Sequence, residues 1–240
     1  MGVEAWCKTD RGLRRETNQD AFLVNQDLGL FVVADGMGGH SGGEVASAIA
    51  VQTVEDVIAH PPMENLSPRD LLSHAYAEAS RRIFDKAAYE KPELLGMGTT
   101  MVMAQKIDSS IYICNVGDSR CYLYRKPHLW QVTEDHSLVN EQLRAGLINE
   151  EQSKNFVGRN VITRSVGYER EVIVDILERP ITKGDVYILC SDGLTGLVSN
   201  EKITEILNKN TPEKAVQACI DSALANGGDD NVTVMIISTT

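Results

Sequence analysis

The sequence predicts an α+β fold, and three observations carry the prediction. Strand-like runs rich in Val, Ile, Phe and Tyr occur in blocks, and several are separated by turns of only two to four residues. The helical patterns fall between these blocks rather than after every strand. Short turns join antiparallel neighbours, whereas a parallel pair needs a crossover of a dozen residues or more. Strands in runs with helices grouped between them make layers of one kind packed on layers of the other. A chain of 240 residues is long enough to bury a real core as one domain.

The elements follow in order. "AFLVN" (21–25) and "LGLFVVAD" (28–35) read as the first strands, and helical periodicity then fits 43–60 and 67–90. These helices open on Gly43 and on Ser67-Pro68, both start signals. A second block holds "TTMVMAQ", "SSIYICNVGD" and "CYLYR", with "KIDSS", "GDSR" and "RKPH" as the turns that make it a meander. The segment 137–165 is polar and weakly helical, and it is expected to form a mobile flap, the alternative being a plain long connection. "EVIVDILE" and "DVYILCSDG" continue the strands. A helix over 211–225, opened by Thr211-Pro212, precedes the last strand, "NVTVMIIST".

Composition excludes several classes of function. A formal net charge of −11 argues against a nucleic-acid or anionic-membrane partner, since both need a basic footprint. The five cysteines are scattered with no C-x-x-C pair, and three sit in apolar runs, so a reduced, cytoplasmic protein is expected. The start "MGVEAWCKTD" has no apolar signal-peptide core, and Trp6 stands where myristoylation needs Ser or Thr. No stretch approaches the length of a membrane span.

Carboxylates recur at strand ends. "FVVADG" ends in Asp35-Gly36, "YICNVGDS" in Asp118, "YILCSDG" in Asp192-Gly193, and "NGGDDNVTV" places Asp229 and Asp230 just before a strand. Any one of them is an ordinary turn-former. Gathered together they would repel, at roughly 4 kcal/mol for each pair about 4 Å apart at an effective dielectric near 20. A positive charge has to sit among them. Lysine and histidine are scarce nearby, and oxygen-only ligation favours Mg²⁺ or Mn²⁺ over Zn²⁺. The glycine-rich "DGMGGHSGG" admits three readings: a phosphate cradle, a metal site at Asp35, or a tight strand-to-helix turn. The cradle lacks the lysine its motif requires, and the glycine pattern of a dinucleotide site is met only loosely. A metal site accounts for both Asp35 and the glycines, because a backbone without Cβ lets a carbonyl approach an ion.

Eight strings in order, "RRETNQD" (14–20), "VADGMGGHSGGE", "GMGTT", "NVGDSR", "DHS", "NVITRSVG", "CSDGLT" and "GGDDNVTV", resemble the metal-dependent protein phosphatases of type 2C. The resemblance runs from about residue 3 to residue 238, and it is to the compact bacterial catalytic domains. It implies a single catalytic domain over 1–240 with two antiparallel sheets flanked by helices, a four-layer α-β-β-α sandwich. It implies phosphoserine/phosphothreonine hydrolysis in which water activated by two metal ions attacks in line, without a phospho-enzyme. Carried over residue by residue, Asp35 resembles the bridging ligand and Gly36 supplies a carbonyl. Asp192 and Asp230 complete the first ion's protein ligands, and Asp20 holds metal-bound water. Asp118 with Asp192 matches a third-ion site, and Arg15 matches the phosphate-binding arginine. Asn231 would orient Asp230. Many eukaryotic relatives carry His two positions after the bridging Asp. Here that residue is Met37, which cannot donate a proton, so His40 becomes the candidate general acid, though a His in a glycine loop could equally be a plain turn residue. His136 is expected to brace the base of the flap. The partners implied are phosphorylated proteins, opposite a Ser/Thr kinase, and a monomer is expected.

Other classes fit less well. A haloacid-dehalogenase-type phosphatase needs two Asp bracketing one residue at its first strand end, and a calcium module needs D-x-D-x-D-G; neither occurs. A catalytically dead phosphoprotein-binding scaffold would have lost a metal Asp, and none is lost.

Overall fold

The computed structural model describes residues 2–39, 42–153 and 155–240. It begins with β1 (Val3–Asp10), β2 (Asp20–Asn25) and β3 (Leu30–Met37), followed by helices α1 (Gly42–Ala59) and α2 (Pro68–Asp85). Helix α2 starts as its sequence dictates. Ser67 Oγ accepts from the Asp70 N–H, and Pro68 sits where no N–H is needed. A π-helical turn over Lys86–Glu90 extends it. Next come β4 (Gly98–Thr99), β5 (Met101–Ile107), β6 (Ser110–Val116), β7 (Arg120–Arg125) and β8 (His128–Gln131). Two short helices follow, α3 (Leu138–Arg144) and α4 (Glu150–Ser153), then β9 (Asp175–Pro180) and β10 (Val186–Cys190). The chain closes with α5 (Asp192–Thr195), α6 (Asn200–Lys209), α7 (Pro212–Ala225) and β11 (Val232–Thr239).

The strands form two antiparallel sheets. One runs β1-β11-β10-β7-β8 and the other β2-β3-β5-β6-β9, with β4 paired to the end of β3. Their central strands are continuous apolar runs because both faces are covered. Alternation sorts each run by face. Phe31 and Val33 meet Met235 and Ile237 of the other sheet between the layers, while Leu30, Val32 and Ala34 pack under α1 and α2. On the opposite side Val232, Val234 and Ile236 pack under α6 and α7. Three apolar clusters therefore separate four layers, α-β-β-α, the arrangement that the family resemblance implies.

Some element boundaries differ from the sequence expectation. "EVIVDILE" becomes a strand only from Asp175, because its partner β6 ends just past the Asn115–Asp175 pair and the chain turns at Gly117. "TTMVMAQ" is interrupted at Thr100, whose side chain and backbone are used by the neighbouring Asp35. Strand β1, strand β8 and helix α6 are additions. The first is a half-buried edge strand with charges on its open face, and the second is only four residues long. Within 137–165 the α3 and α4 helices bury no residue, and a single bridge, Ser137 to Ile162, closes the base of the segment.

Candidate active site

The two sheets bring one end of β2 and β3 against one end of β10 and β11. Asp20 and Asp35 are direct register partners across β2 and β3. Asp20 then reaches the other sheet, where Thr233 Oγ1 and Ser191 Oγ donate to its Oδ2 at 2.6 and 2.8 Å. The Thr233 N–H in turn donates to Ser191 Oγ at 3.0 Å. Asp35 is held through its backbone: its carbonyl accepts from the Thr100 N–H and from Thr99 Oγ1, each at 2.9 Å. Asp192 opens the single turn of α5 rather than ending the strand, with Ser191 in the N-cap position. Asp118 lies in the loop between β6 and β7, and Asp230 stands two residues before the start of β11.

Five carboxylates thus converge from five separate segments, and their electrostatics show it. Burial raises Asp35 well above the ordinary carboxylate range, with the charges of Asp20, Asp192, Asp118 and Asp230 adding to it. Burial likewise pushes Asp20 up to about 6 against the hydrogen bonds from Thr233 and Ser191, and Asp118 up to about 7 with help from Asp192 and Asp135. Asp192 is raised by burial and by Asp230, while a hydrogen bond with Asp35 and the charges of Arg15 and Arg120 work the other way. Two carboxylate oxygens, Asp20 Oδ1 and Asp192 Oδ1, are buried with no hydrogen-bond partner. Such groups are rare in native proteins and point to a missing positive partner. Hard divalent cations fit a donor set made only of oxygen. Among the described residues no three His, Cys, Asp or Glu side chains are close enough to enclose an ion unaided. An ion held here would have to keep waters among its ligands, as Mg²⁺ commonly does.

Glycines of the "DGMGGHSGG" stretch also serve the tight strand-to-helix turn. A Cβ on Gly36 would lie 2.0 Å from the Gly43 carbonyl oxygen, and one on Gly43 would lie 2.6 Å from the Gly36 carbonyl oxygen. These two positions must be glycine for strand β3 to pass against the start of α1. Gly193 meets the Asn231 carbonyl in the same way, at 2.0 Å.

Arg15 donates from Nη2 to Asp230 Oδ2 at 2.6 Å, and its guanidinium is about half exposed at the mouth of the cluster. Asn231 does not hold the Asp230 carboxylate with its side chain. Its backbone N–H donates to Asp230 Oδ1, while its amide fastens the 11–19 loop that carries Arg15. Oδ1 accepts from the Gln19 N–H, and Nδ2 donates to the carbonyls of Arg11 and Thr17, all at 2.8 Å. His136 is buried as a brace: Nδ1 accepts from the Gly117 N–H and Nε2 contacts Asp175, which Arg164 also holds. His40 lies outside the described residues.

Sequence reasoning missed Ser191, Thr233, Thr100 and the Arg120–Asp135 pair, which clamps the Asp118 loop through contacts of 2.6–3.0 Å. Ser191 and Asp135 stand inside the quoted strings "CSDGLT" and "DHS", beside residues that were singled out, so proximity was the available signal.

Residues 12–225 match the family model described as protein phosphatase 2C. The serine/threonine phosphatase stp of Listeria monocytogenes is 39% identical over 242 residues, covering 98% of this chain and 95% of that protein. Protein phosphatase PhpP of Streptococcus pneumoniae is 32% identical, covering 98% and 97%. Among solved structures, the Mycobacterium tuberculosis serine/threonine phosphatase PstP/Ppp superposes with a TM-score of 0.91 at 33% identity, covering 100% and 99%. The PstP catalytic domain in complex with two manganese ions gives 0.87 at 33%, covering 98% and 97%.

Proposed function

The chain belongs to the protein phosphatase 2C family and is a metal-dependent serine/threonine protein phosphatase, and on that premise we propose how its own residues divide the work. The observation that carries the assignment is the convergence of Asp20, Asp35, Asp118, Asp192 and Asp230 with two buried carboxylate oxygens left unpartnered. Asp35, the Gly36 carbonyl, Asp192 and Asp230 would hold the two core ions, Mn²⁺ or Mg²⁺. Asp118 with Asp192 would take a third. When bound, the ions supply Lewis acidity that makes water a nucleophile near neutral pH.

The remaining roles belong to the chain. Asp20, fixed by Thr233 and Ser191, accepts hydrogen bonds from water at the cluster. Arg15 uses one N–H group on Asp230 and turns the rest of its planar fork to the phosphoryl oxygens of the substrate. The clamp of Asn231 on the 11–19 loop holds that fork in place. Met37 offers no proton, so His40 is proposed to protonate the leaving serine or threonine oxygen. The 137–165 segment is proposed as a flap over the cleft within one catalytic domain. The substrates are phosphoproteins, proposed to be those of an opposing Ser/Thr kinase, and the enzyme is proposed to act as a cytoplasmic monomer. Among the described residues no helix is long and apolar enough to cross a membrane.

Hydrolysis of a phosphothreonine peptide should require Mn²⁺ or Mg²⁺ and stop in EDTA. Asp192→Asn should lower kcat by at least about 100-fold, the scale of losing a group that stabilises developing charge. Full turnover in EDTA would overturn the metal assignment. His40→Ala should slow phosphoserine peptides far more than p-nitrophenyl phosphate, whose leaving group needs no proton; equal losses would remove His40 from the mechanism.

A further inference from the structure

A groove of about 820 Å³ opens beside the carboxylate cluster. Met37, two residues beyond Asp35, lines one end, and the stretch from Ile162 to Ile173 forms the wall. The volume is that of a ligand site with room for several side chains. Its wall is fastened to the catalytic end. Thr99 and Val166 exchange two backbone hydrogen bonds at 2.9 and 2.8 Å, and Thr99 Oγ1 also donates to the Asp35 carbonyl.

The same wall is anchored on α2. Gly167, at φ +92°, has no room for a Cβ, which would lie 2.1 Å from Ile83. Its N–H donates to Ser80 Oγ, and that hydroxyl donates to the Glu169 carbonyl. The groove is therefore preformed rather than assembled by a substrate.

Its lining is apolar and acidic. Tyr168 and Ile173 leave 62% and 78% of their surfaces exposed, which puts two large apolar side chains in one lining. Glu169 and Glu171 also line it, and neither makes an ion pair among the described residues. The one cation among the described lining residues, Arg164, is held by Asp175 at 2.7 Å and by the Ile173 carbonyl. Arg170, between the two glutamates in sequence, pairs instead with Asp85 on α2. Among the described residues, these two negative charges beside exposed apolar surface are left without a counterpart.

Resting on the phosphatase assignment above, we propose that this groove seats the polypeptide flanking the phosphoresidue and selects substrates with a basic residue next to an apolar one. The flanking basic side chain meets Glu169 and Glu171, and the apolar one covers Tyr168 and Ile173. An acidic flank meets like charge and is rejected, which gives selectivity by repulsion as well as attraction. Because the pairs are exposed, the preference weakens as salt rises.

The test uses the metal-loaded enzyme and three substrates: a phosphothreonine peptide with Arg and Leu flanks, the same peptide with Glu and Ser flanks, and p-nitrophenyl phosphate, which places nothing in the groove. The wild type should favour the basic peptide in kcat/KM, and the double variant Glu169→Lys, Glu171→Lys should shift the ratio by about tenfold or more toward the acidic one, mostly through KM. Turnover of p-nitrophenyl phosphate should stay within about twofold. An unchanged peptide ratio, or equal losses on all three substrates, would overturn the proposal. Non-hydrolysable phosphonate versions of both peptides, followed by fluorescence anisotropy, read the same preference without turnover. Failure of the phosphatase reading, seen as no hydrolysis of p-nitrophenyl phosphate by the wild type, is thereby distinguishable from failure of the groove.

Discussion

Replacing Asn231 tests how the phosphate-facing loop is held. The side chain is 4% exposed and makes three hydrogen bonds, one accepted from Gln19 and two donated to the carbonyls of Arg11 and Thr17. Each intramolecular hydrogen bond contributes about 0.5–1.5 kcal/mol net, and a buried group left unpaired costs about 1–3 kcal/mol. Asn231→Ala should then destabilise by roughly 2–4 kcal/mol, the carbonyls recovering part of the loss to water. At about 2–4 °C per kcal/mol for a domain of this size, Tm falls by roughly 4–16 °C. Asn231→Asp is the sharper probe. It keeps the size and the acceptor for Gln19, yet it sets an oxygen against two carbonyl oxygens. Differential scanning calorimetry should find it at least as damaging as alanine. Because the loop carries Arg15, KM for a phosphopeptide should rise in both variants. An aspartate variant that melts within about 1 °C of the wild type would refute the clamp.

Gly36→Ala forces a methyl to within 2.0 Å of the Gly43 carbonyl, and overpacking of this kind costs about 1–3 kcal/mol; a thermal melt should show the loss. Gly39→Ala, where nothing lies within 4 Å, should leave Tm unchanged, and equal effects at the two positions would discard the packing argument. Arg15→Ala should raise KM for phosphopeptides more than it lowers kcat, because the guanidinium meets the ground-state phosphate as well as the transition state. A loss confined to kcat would contradict that role. The metal-free enzyme should lose stability between pH 5 and pH 8. The folded pKa values of Asp20 and Asp118 are raised to about 6 and about 7, so the folded state binds more protons than the unfolded one across this range. That contribution is fully present below about pH 4 and disappears as pH rises through the folded values. Groups with lowered values, such as Glu78 and Asp175, act below this window. A Tm in EDTA that is flat or rises from pH 5 to pH 8 would contradict the buried cluster.

The fold was legible where burial on both faces wrote an apolar run, as in β3, β5, β6, β10 and β11. It was less legible at the edges. Strand β1 mixes Glu4 and Lys8 into a half-buried alternation, and β8 is shorter than any periodicity can show. Helix α6 carried readable signals that went unused, Ser199 capping Lys202 and Ile203, Ile206 and Leu207 on one face. At the site, Asp35, Asp118, Asp192 and Asp230 could be picked out from the chain because each stands at a strand end beside glycine or a small residue, whereas Asp20 was reached only through the family resemblance. What a linear string cannot show is which partner each one meets. The pinning of Asp20 by Ser191 and Thr233 joins residues 171 and 213 positions apart. The amide of Asn231 spans more than 200 residues to reach the loop of Arg15. For Gly36 and Gly43 the sequence offered both an ion site and a tight strand-to-helix turn, and the close contact between the two is seen only once α1 is laid over β3.

The account's central claim is that the buried carboxylates form one cation site. Isothermal titration of the EDTA-stripped protein with Mn²⁺ at pH 7.5 tests it most directly. Wild-type protein should bind at least two ions per chain, with some proton release because burial raises Asp118 to about 7 and Asp35 well above the ordinary carboxylate range. Asp192→Asn should lose binding at the cluster while still melting as a folded domain. Fewer than two ions bound by the wild type, or an Asp192→Asn isotherm that matches it, would contradict the claim.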